Sequence, residues 1–395
     1  MSLLVVAGEA SGDRAAAQVL RALGPVDAFG LGGPACARAG LESVAAPAFG
    51  AVGFFDVVLR GASVARSFAA VLREARSRRP QAALLVDYTE FNFLLAPRLR
   101  ELGTKVLWYV APQVWAWRPS RLRTLPPRID ALAVILPFEE ALWRGAGVDA
   151  SYVGHPALAV VPRPRADVRR ELSLGGTSAL ALLPGSRRTE VRRLLPPMLD
   201  AVARLRRDEH ALDVRLLLSS ALAPPERTWA RGLAAGAGVH VVHAPEEGAG
   251  ALLGAFDATL CASGTASLES ALAGAHPVVC YRTDRLTAAV VGGLLRTPFV
   301  GLPNVLLRRP VWPELLQRDA TGPKMAAAVR IVLERWRRFD DAARELRQCL
   351  GERKAANLVA SRLRAWLPPS APPSEPKPQH PPDRPGPAST TSSSL

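Results

Sequence analysis

Hydrophobic positions along this 395-residue chain fall in short continuous runs rather than in strict alternation. Leu3–Ala7, Val26–Leu31, Ala82–Val86, Val106–Val110, Ala131–Ile135 and Ala150–Val153 are such runs. A strand that is apolar at every position is buried on both faces, as in a parallel sheet sandwiched between helices. Stretches with helical spacing separate the runs: Asp13–Leu23, Ala62–Arg78, Asn92–Leu102 and Phe138–Gly145. Repeated strand–helix units predict a doubly wound α/β domain. The segment "GHPALAVVPRPRAD" (154–167) interrupts the rhythm with prolines and reads as a linker. The pattern then restarts. Strands are expected at Leu180–Leu183, Asp213–Leu218, Val239–Val242, Ala258–Cys261 and Pro277–Tyr281. Helices are expected at Thr189–Arg207, Pro225–Gly236, Ala251–Phe256 and Thr265–Ala273. Two further helical stretches follow, Lys324–Arg338 and Asp340–Trp366.

The predicted fold class is therefore α/β, with two doubly wound Rossmann-like domains facing a cleft. Residues 1–160 form the first domain and 161–345 the second; a C-terminal helix spans 346–366. From 367 to 395 the composition collapses into Pro, Ser and Thr. Such a segment cannot bury enough apolar surface to offset ordering entropy and is expected to be a disordered tail.

Charge changes the picture only in part. The net charge of +15 favours anionic partners: phosphates, anionic lipid surfaces or nucleic acid. Almost all of the basic residues are Arg, lysine being confined to Lys105, Lys324, Lys354 and Lys377. A GC-rich genome produces the same bias, so charge alone is little evidence for nucleic acid. Cys36, Cys261, Cys280 and Cys349 are scattered with no CxxC pair, which points to a reduced cytoplasmic setting and to neither a disulfide framework nor a metal site. The start, "MSLLVVAGEASGD", reads as a strand running into a turn rather than a signal peptide. No apolar run is long enough to span a bilayer, so any membrane contact is expected to be peripheral.

In parallel sheets ligands sit beyond the carboxyl ends of the strands, so chemistry is expected in the loops that follow them. The first is "AGEASGD", 7–13. Gly8 and Gly12 permit tight turns, and Ser11 or Asp13 could cap the next helix and leave its amides for an anion or sugar hydroxyl. A plain strand-to-helix turn would use the same residues. The second is "VDYTEFN", 86–92. Asp87 ends a very apolar strand at the cleft mouth, where burial would raise its pKa and fit it for general-base work. Glu90 and Asn92 follow; helix capping is the alternative use of this turn, for which Thr89 is better suited than Glu90.

The third is "VAPQVWAWRPSR", 110–121. Arginine beside aromatics can stack nucleic-acid bases or can shape a small-molecule cleft. Pro112 and Pro119 stiffen this loop, and Trp115 and Trp117 would face opposite sides if it is extended. His155, in "VGHP", ends a later strand beside the linker. In the second half, "LLPGSRRTE" (182–190) offers Gly185 and Ser186 as donors and Arg187 as a fork for phosphate. "CASGTASLES" (261–270) places Ser263, Gly264 and Thr265 at a helix start, with Glu269 one turn on and able to reach ribose hydroxyls. Two anion-receptive turns in one domain suggest a nucleotide diphosphate.

Taken together, these segments resemble the lipid-A-disaccharide synthases, bacterial glycosyltransferases of the glycosyltransferase-B fold. The resemblance covers about residues 3–365. It rests on "AGEASGD" (7–13), "GLGGP" (30–34), "VGFFDVV" (52–58), "DYTEFN" (87–92), "VWAWR" (114–118), "LPFE" (136–139), "YVGHP" (152–156), "LLPGSR" (182–187), "ASGTASLE" (262–269) and "LPNVLL…PELLQ" (302–317). It implies condensation of UDP-2,3-diacylglucosamine with 2,3-diacylglucosamine 1-phosphate to the β(1→6) disaccharide 1-phosphate and UDP, with inversion. It also implies residue roles. Asp87 matches the base, Arg187 the arginine at the UDP phosphates, Ser263–Thr265 the nucleotide loop and Glu269 the ribose contact. Asn304 and Gln317 match polar positions lining the donor side of the cleft. Ser11, Glu90, Asn92, Trp115, Trp117, Arg118, Arg121 and His155 fall on the acceptor side, with Arg118 and Arg121 as candidates for the acceptor phosphate. No DxD motif is present, and neither metal nor cofactor is expected.

The chain departs from the family pattern. Tyr88, Thr89 and Glu90 replace the middle of D-x-P-D-F-N; Ala111 and Gln113 stand where serines are usual, and Asp56 where glutamate is. Both substrates are acylated, and 52–79 carries Phe54, Phe55, Val57, Val58, Phe68 and Val71 beside Arg60, Arg66 and Arg73. That pattern suits acyl chains and anionic inner-membrane lipid at the cytoplasmic face, and equally suits a packed core helix. A homodimer is compatible with this reading. Two rivals remain: another UDP-sugar enzyme of the same fold (a peptidoglycan N-acetylglucosaminyltransferase or a UDP-GlcNAc 2-epimerase), and a basic nucleic-acid-binding protein. The motifs at 87–92 and 114–118 argue against the first, and the absence of a nucleic-acid module argues against the second.

Overall fold

A computed structural model of the chain describes residues 2–45, 54–208, 211–245, 248–283 and 297–367, with side chains at 54–60 and 208 outside that description. The predicted tail from 368 onward also lies outside the described residues. The N-terminal sheet contains β1 (Ser2–Ala7), β2 (Asp27–Leu31), β3 (Glu42–Ser43), β4 (Ala82–Val86), β5 (Lys105–Tyr109), β6 (Ala131–Val134) and β7 (Ala150–Tyr152). Its order is β3-β2-β1-β4-β5-β6-β7, parallel throughout. The second sheet contains β8 (Ser178–Leu183), β9 (Leu212–Leu218), β10 (His240–His243), β11 (Ala258–Ala262), β12 (His276–Tyr281) and β13 (Glu314–Leu316). Its order is β10-β9-β8-β11-β12-β13, again parallel. The strands β3 and β13 are additions to the elements expected from hydrophobic runs; two and three residues long, they carry no such run.

The continuous apolar runs do what their pattern requires. Leu4 and Val6 of β1 enter one core with Phe29, Leu85, Trp108 and Trp143. Leu3, Val5 and Ala7 enter the core on the opposite face. That second face is covered by α1 (Ala10–Leu23) and by the last helix of the described chain, α15 (Ala355–Arg364), through Val359, Ala360 and Leu363. The other face is covered by α3 (Phe54–Arg78), α4 (Thr89–Glu101) and α6 (Pro137–Gly145). The expected single helix over Asp340–Trp366 is two helices, α14 (Trp336–Leu350) and α15, because Gly351 takes a left-handed φ of 65° and ends the first. Tyr152 Oη donates to the Leu350 carbonyl at 2.6 Å and fixes the return of the chain to the N-terminal domain. The linker is also more ordered than its prolines suggest: a 3-10 turn at Pro156–Ala159 and α7 (Arg165–Glu171) lie within or across it, and Ala157 packs in the core of the second domain.

One expectation at the first loop is corrected. Asp13 does not cap α1, which begins at Ala10 with Glu9 as its N-cap residue. Asp13 is buried, and its carboxylate accepts from the amides of Gly33 (2.7 Å), Ala35 (3.0 Å) and Cys36 (3.1 Å). It thus caps α2 (Pro34–Arg38) from the neighbouring unit and ties "GLGGP" to "AGEASGD". Burial, and then this carboxylate, push the Cys36 thiol far above its usual range. Asp13→Ala would strand three buried donors, each costing about 1–3 kcal/mol. The expected result is a loss of at least about 3 kcal/mol of unfolding free energy, read as a lower urea midpoint; an unchanged midpoint would refute this anchoring role.

Candidate functional site

The cleft is built by loops that leave the carboxyl ends of the central strands in both sheets. Asp87 follows β4 directly, and its amide continues the strand pairing by donating to the Tyr109 carbonyl at 3.0 Å. The turn then runs left-handed through two non-glycine residues, Asp87 (φ 48°) and Tyr88 (φ 43°). Asn92 makes this geometry stable: fully buried, it donates from Nδ2 to the Asp87 carbonyl at 2.7 Å. Asn92 therefore shapes the turn instead of lining the acceptor side. The Tyr88 ring stacks on Phe91 at 5.0 Å and lies over Gly8, where an added Cβ would come within 2.3 Å of the ring. Tyr88, at the variable position of the family pattern, thus fills the space above a glycine of the first loop.

Asp87 is half-buried, and burial followed by the nearby Glu9 carboxylate raises its pKa to about 6, against the pull of Arg187 and the Tyr88 amide. Arg187 comes from the other domain, at the N-cap of α8 (Arg188–Asp208). Its Nη2 lies 3.3 Å from Glu9 and its Nη1 3.1 Å from Glu190. Burial opposes the charge on Arg187, but Glu9 and Glu190 outweigh it and hold the guanidinium above its ordinary pKa. Its Nε is buried without a partner. Asp87, Glu9, Arg187 and Glu190 thus form one electrostatic cluster spanning both domains. Sequence reasoning missed two of the four. Glu9 stands in the same strand-end position that singled out Asp87, and Glu190 stands at the third helical position after the Arg187 N-cap, the spacing of a capping box.

The expected donor residues divide. Gly185 takes a φ of 116°, but the amides of Ser186 and Arg187 donate to Glu190 Oε2 at 3.1 and 3.3 Å. The first anion-receptive turn is therefore occupied by the chain's own carboxylate. The second differs. Helix α11 (Thr265–Ala273) starts after Gly264 (φ 127°) with no side-chain cap; the Ser267 amide donates to the Gly264 carbonyl at 3.1 Å, which leaves the Thr265 and Ala266 amides at the helix start without a side-chain acceptor. Ser263 is turned away, donating from Oγ to the Val300 carbonyl at 3.2 Å. Glu269 is buried one turn on, and Arg14 of the other domain approaches it at 3.8 Å; burial raises its pKa.

Asn304 is corrected. It is buried with its whole amide engaged: Nδ2 donates to the Trp312 carbonyl and to Glu314, and Oδ1 accepts from the amides of Val311 and Trp312. It holds the 300–314 loop together and presents nothing to the cleft. Gln317 is half-buried in a left-handed turn (φ 49°), with Oε1 accepting from the Thr283 amide at 3.1 Å.

On the acceptor side, Ser11 sits half-buried in the first turn of α1. Glu90 is exposed, and a single oxygen of its carboxylate meets Arg118 and Arg121 at 2.5 Å each. Both guanidiniums lie over the Trp117 ring, and Arg121, itself buried, also lies over Phe93. Trp115 faces the other way, although the segment is a turn closed by the Ala116 and Trp117 amides on the Gln113 carbonyl and not an extended loop: its Nε1 donates to the buried Glu139 at 3.0 Å, and its ring packs edge-on to Phe138 at 5.4 Å. Ala111 is buried in the N-terminal core, so the serine usual there would have pointed inward; Gln113 is exposed. Phe68 and Val71 of α3 pack in or against that core, so this part of the apolar stripe is interior, while Arg66 and Arg73 are exposed. Phe54 to Arg60, Asp56 included, lie outside the described side chains. Among the described residues no cluster of His, Cys, Asp and Glu gathers to hold a metal ion, and no helix is long and apolar enough to cross a membrane.

Comparison with known proteins decides between the rival readings. A family model described as lipid-A-disaccharide synthetase matches residues 3–363. The chain belongs to this family. A lipid-A-disaccharide synthase of Anaeromyxobacter dehalogenans (strain 2CP-C) is 40% identical over 373 residues, covering 91% of this chain and 95% of its own length. The protein is an enzyme of lipid A disaccharide synthesis, a UDP-sugar-dependent glycosyltransferase. Solved structures with the same fold include UDP-GlcNAc 2-epimerase from Methanocaldococcus jannaschii in complex with UDP-GlcNAc and UDP. It matches at a TM-score of 0.58 and 11% identity, covering 92% of this chain and 100% of that one. A glycosyltransferase from Rickettsia africae ESF-5 matches at 0.51 and 11%, covering 92% and 97%. At these identities the likeness is one of fold: the glycosyltransferase-B pairing of two Rossmann-like domains.

His155 closes this set as a correction. It is buried beside the linker, and its Nδ1 accepts from the Ala157 amide at 3.0 Å, capping the 3-10 turn. Burial lowers its pKa to about 4. A neutral imidazole that spends one nitrogen on its own backbone is a structural cap. In an NMR titration, one of the six histidines is expected to show no imidazole transition between pH 5 and 8 and to be absent from the His155→Asn spectrum. A mid-range transition assigned to His155 would contradict its role.

Proposed function

We propose that this enzyme transfers the diacylglucosaminyl group of UDP-2,3-diacylglucosamine to the 6-hydroxyl of 2,3-diacylglucosamine 1-phosphate with inversion, releasing UDP. The reading is supported chiefly by Arg187 of the second domain reaching Glu9 of the first at 3.3 Å, with both groups acting electrostatically on the Asp87 carboxyl. Inversion needs one in-line displacement. Asp87 takes the proton of the acceptor hydroxyl as the oxygen attacks the anomeric carbon and the bond to the diphosphate breaks. Partial positive charge develops on the sugar ring as negative charge develops on the leaving group. Arg187 and the uncapped start of α11 meet that leaving charge. Glu269 takes ribose hydroxyls, which requires donor binding to loosen its contact with Arg14. Gln317 borders the donor.

On the acceptor side, Arg118 and Arg121 receive the 1-phosphate in place of Glu90, with Trp117 as the wall against which both are held. Ser11 borders the acceptor sugar. The acyl chains leave the cleft toward α3, whose exposed arginines face anionic lipid at the inner face of the inner membrane, where the protein acts as a peripheral enzyme. Residues 1–160 serve as the acceptor domain and 161–345 as the donor domain.

The deciding test is mass spectrometry of products from the purified protein with both acylated sugars: a disaccharide 1-phosphate with stoichiometric UDP is expected, and UDP release without acceptor would overturn the reading. Removing a general base typically costs 10²–10⁴-fold, so Asp87→Asn should lower kcat by about that factor with the fold intact. An acid whose pKa is raised to about 6 is a base only above that pH. In the wild type, kcat/KM should therefore rise with pH through about 6 and then level. Near-normal activity of Asp87→Asn would remove Asp87 from the role.

A further inference from the structure

The start of α8 carries a feature that neither hydrophobic pattern nor family likeness assigns. The loop "PGSR" (184–187) has the look of a phosphate cradle: a left-handed glycine, two consecutive amides and a helix start. That cradle is already filled. Glu190 reaches back from the first turn, and its Oε2 accepts from the Ser186 amide (3.1 Å) and the Arg187 amide (3.3 Å). Its other oxygen, Oε1, accepts from Arg187 Nη1 at 3.1 Å. One carboxylate therefore neutralises the loop and grips the arginine. The opposite prong of the fork, Nη2, reaches Glu9 across the cleft at 3.3 Å. The one guanidinium nitrogen with no partner at all is the buried Nε.

Gly185 belongs to the same device. A Cβ at this position would lie 2.3 Å from Glu190 Oε2 and 2.7 Å from its Cβ. The glycine is thus needed less for a phosphate to approach than for the Glu190 side chain to fold back over the loop.

We propose that Glu190 is a positioning residue for the donor. It closes the amide cradle to phosphate, holds Arg187 through Nη1, and so directs the donor diphosphate to the Nε/Nη2 edge of Arg187. A phosphate oxygen on that edge supplies the missing partner of Nε–H and takes over Nη2 from Glu9. This rests on the reading that the second domain binds a UDP-sugar, and it fixes which face of Arg187 the diphosphate meets.

UDP alone is the probe, measured by calorimetry on the full-length protein and as product inhibition in the transferase assay, with thermal midpoints recorded for every variant. Glu190→Ala frees Arg187 to swing and opens the amides. UDP affinity is expected to fall about tenfold or more, because misplacing a binding group by an ångström is costly, and the donor KM should rise more than kcat falls. Glu190→Gln keeps the shape and an acceptor oxygen and should recover part of the affinity. Gly185→Ala expels the Glu190 side chain and should resemble Glu190→Ala. The double variant should bind UDP no more weakly than the worse single one, since both act on one arrangement. Unchanged UDP affinity in a folded Glu190→Ala protein would overturn the proposal. Tighter binding would overturn it too, by showing the amides to be the phosphate site with Glu190 as a competitor. Failure of the wild type itself to bind UDP would sink the donor reading and this proposal together.

Discussion

The cleft depends on one half-buried cation. Arg187 is the only basic group that its immediate cluster of Asp87, Glu9 and Glu190 contains, and it joins the two domains through Glu9. Removing one member of a buried charged set leaves the others uncompensated, which costs far more than the set contributes when complete. The cluster is therefore a commitment to geometry more than a source of stability. It holds the domains at a separation where a carboxylate on one side faces a guanidinium on the other. It also sets Asp87's protonation: the same Glu9 that anchors Arg187 raises Asp87, and the same Arg187 that attracts Glu9 lowers it. Movement of a diphosphate onto Arg187 would weaken the lowering influence. In the proposed mechanism, donor binding and the strength of the base are thus coupled through a single side chain.

Around this cluster the backbone is strained in a pattern that follows the cleft. Asp87, Tyr88, Val110 and Gln317 adopt left-handed φ values at or just beyond strand ends, and Arg118 does so further along the loop that follows β5. Such conformations cost roughly 1–2 kcal/mol each for side chains with a Cβ, and Val110 is β-branched. Three of these turns have an identifiable brace. Asn92 holds the Asp87 carbonyl, Trp108 Nε1 holds the Val110 carbonyl at 3.1 Å, and Thr283 donates to Gln317. Asn92 and Trp108 are buried residues on α4 and β5, so at Asp87 and Val110 the strain is absorbed by the sheet and helix packing. That explains why Asn92, which lies in a cleft motif, does its work from inside the core.

Much of this was legible in sequence, and the limits are physical. Runs such as Leu3–Ala7 and Ala82–Val86 announce a strand buried on both faces, because only that environment tolerates an apolar residue at every position. Asp87 and Arg187 are legible for the converse reason: a polar residue at the end of such a run has nowhere to be but the ligand edge. Short strands such as β3 and β13 have no run to announce them. Partnership is harder to read than position. Asp13 looked like a cap for its own helix and caps another unit; Asn304 looked like a cleft residue and is consumed by its own loop. A polar side chain advertises its chemistry in the sequence but not which backbone groups, distant in the chain, will claim it.

The departures from the family pattern acquire a common sense on the acceptor side. Replacing the usual aspartate by the longer Glu90 lets one carboxylate oxygen span two guanidiniums, Arg118 and Arg121, which are fixed in place by Trp117 and Phe93 rather than by further acids. Two cations against one carboxylate leave a surplus positive charge, and Glu90, the most exposed of the three, is the member most easily moved. A phosphate monoester carries more charge and more acceptor oxygens than the carboxylate it would displace. Meanwhile Tyr88, at the variable position beside the Thr89 that replaces the usual proline, lies over Gly8 and stacks on Phe91, supplying stiffness through an aromatic contact between the first and second loops. In the proposed mechanism, the altered residues thus preserve a rigid base and a receptive cationic wall by different local means.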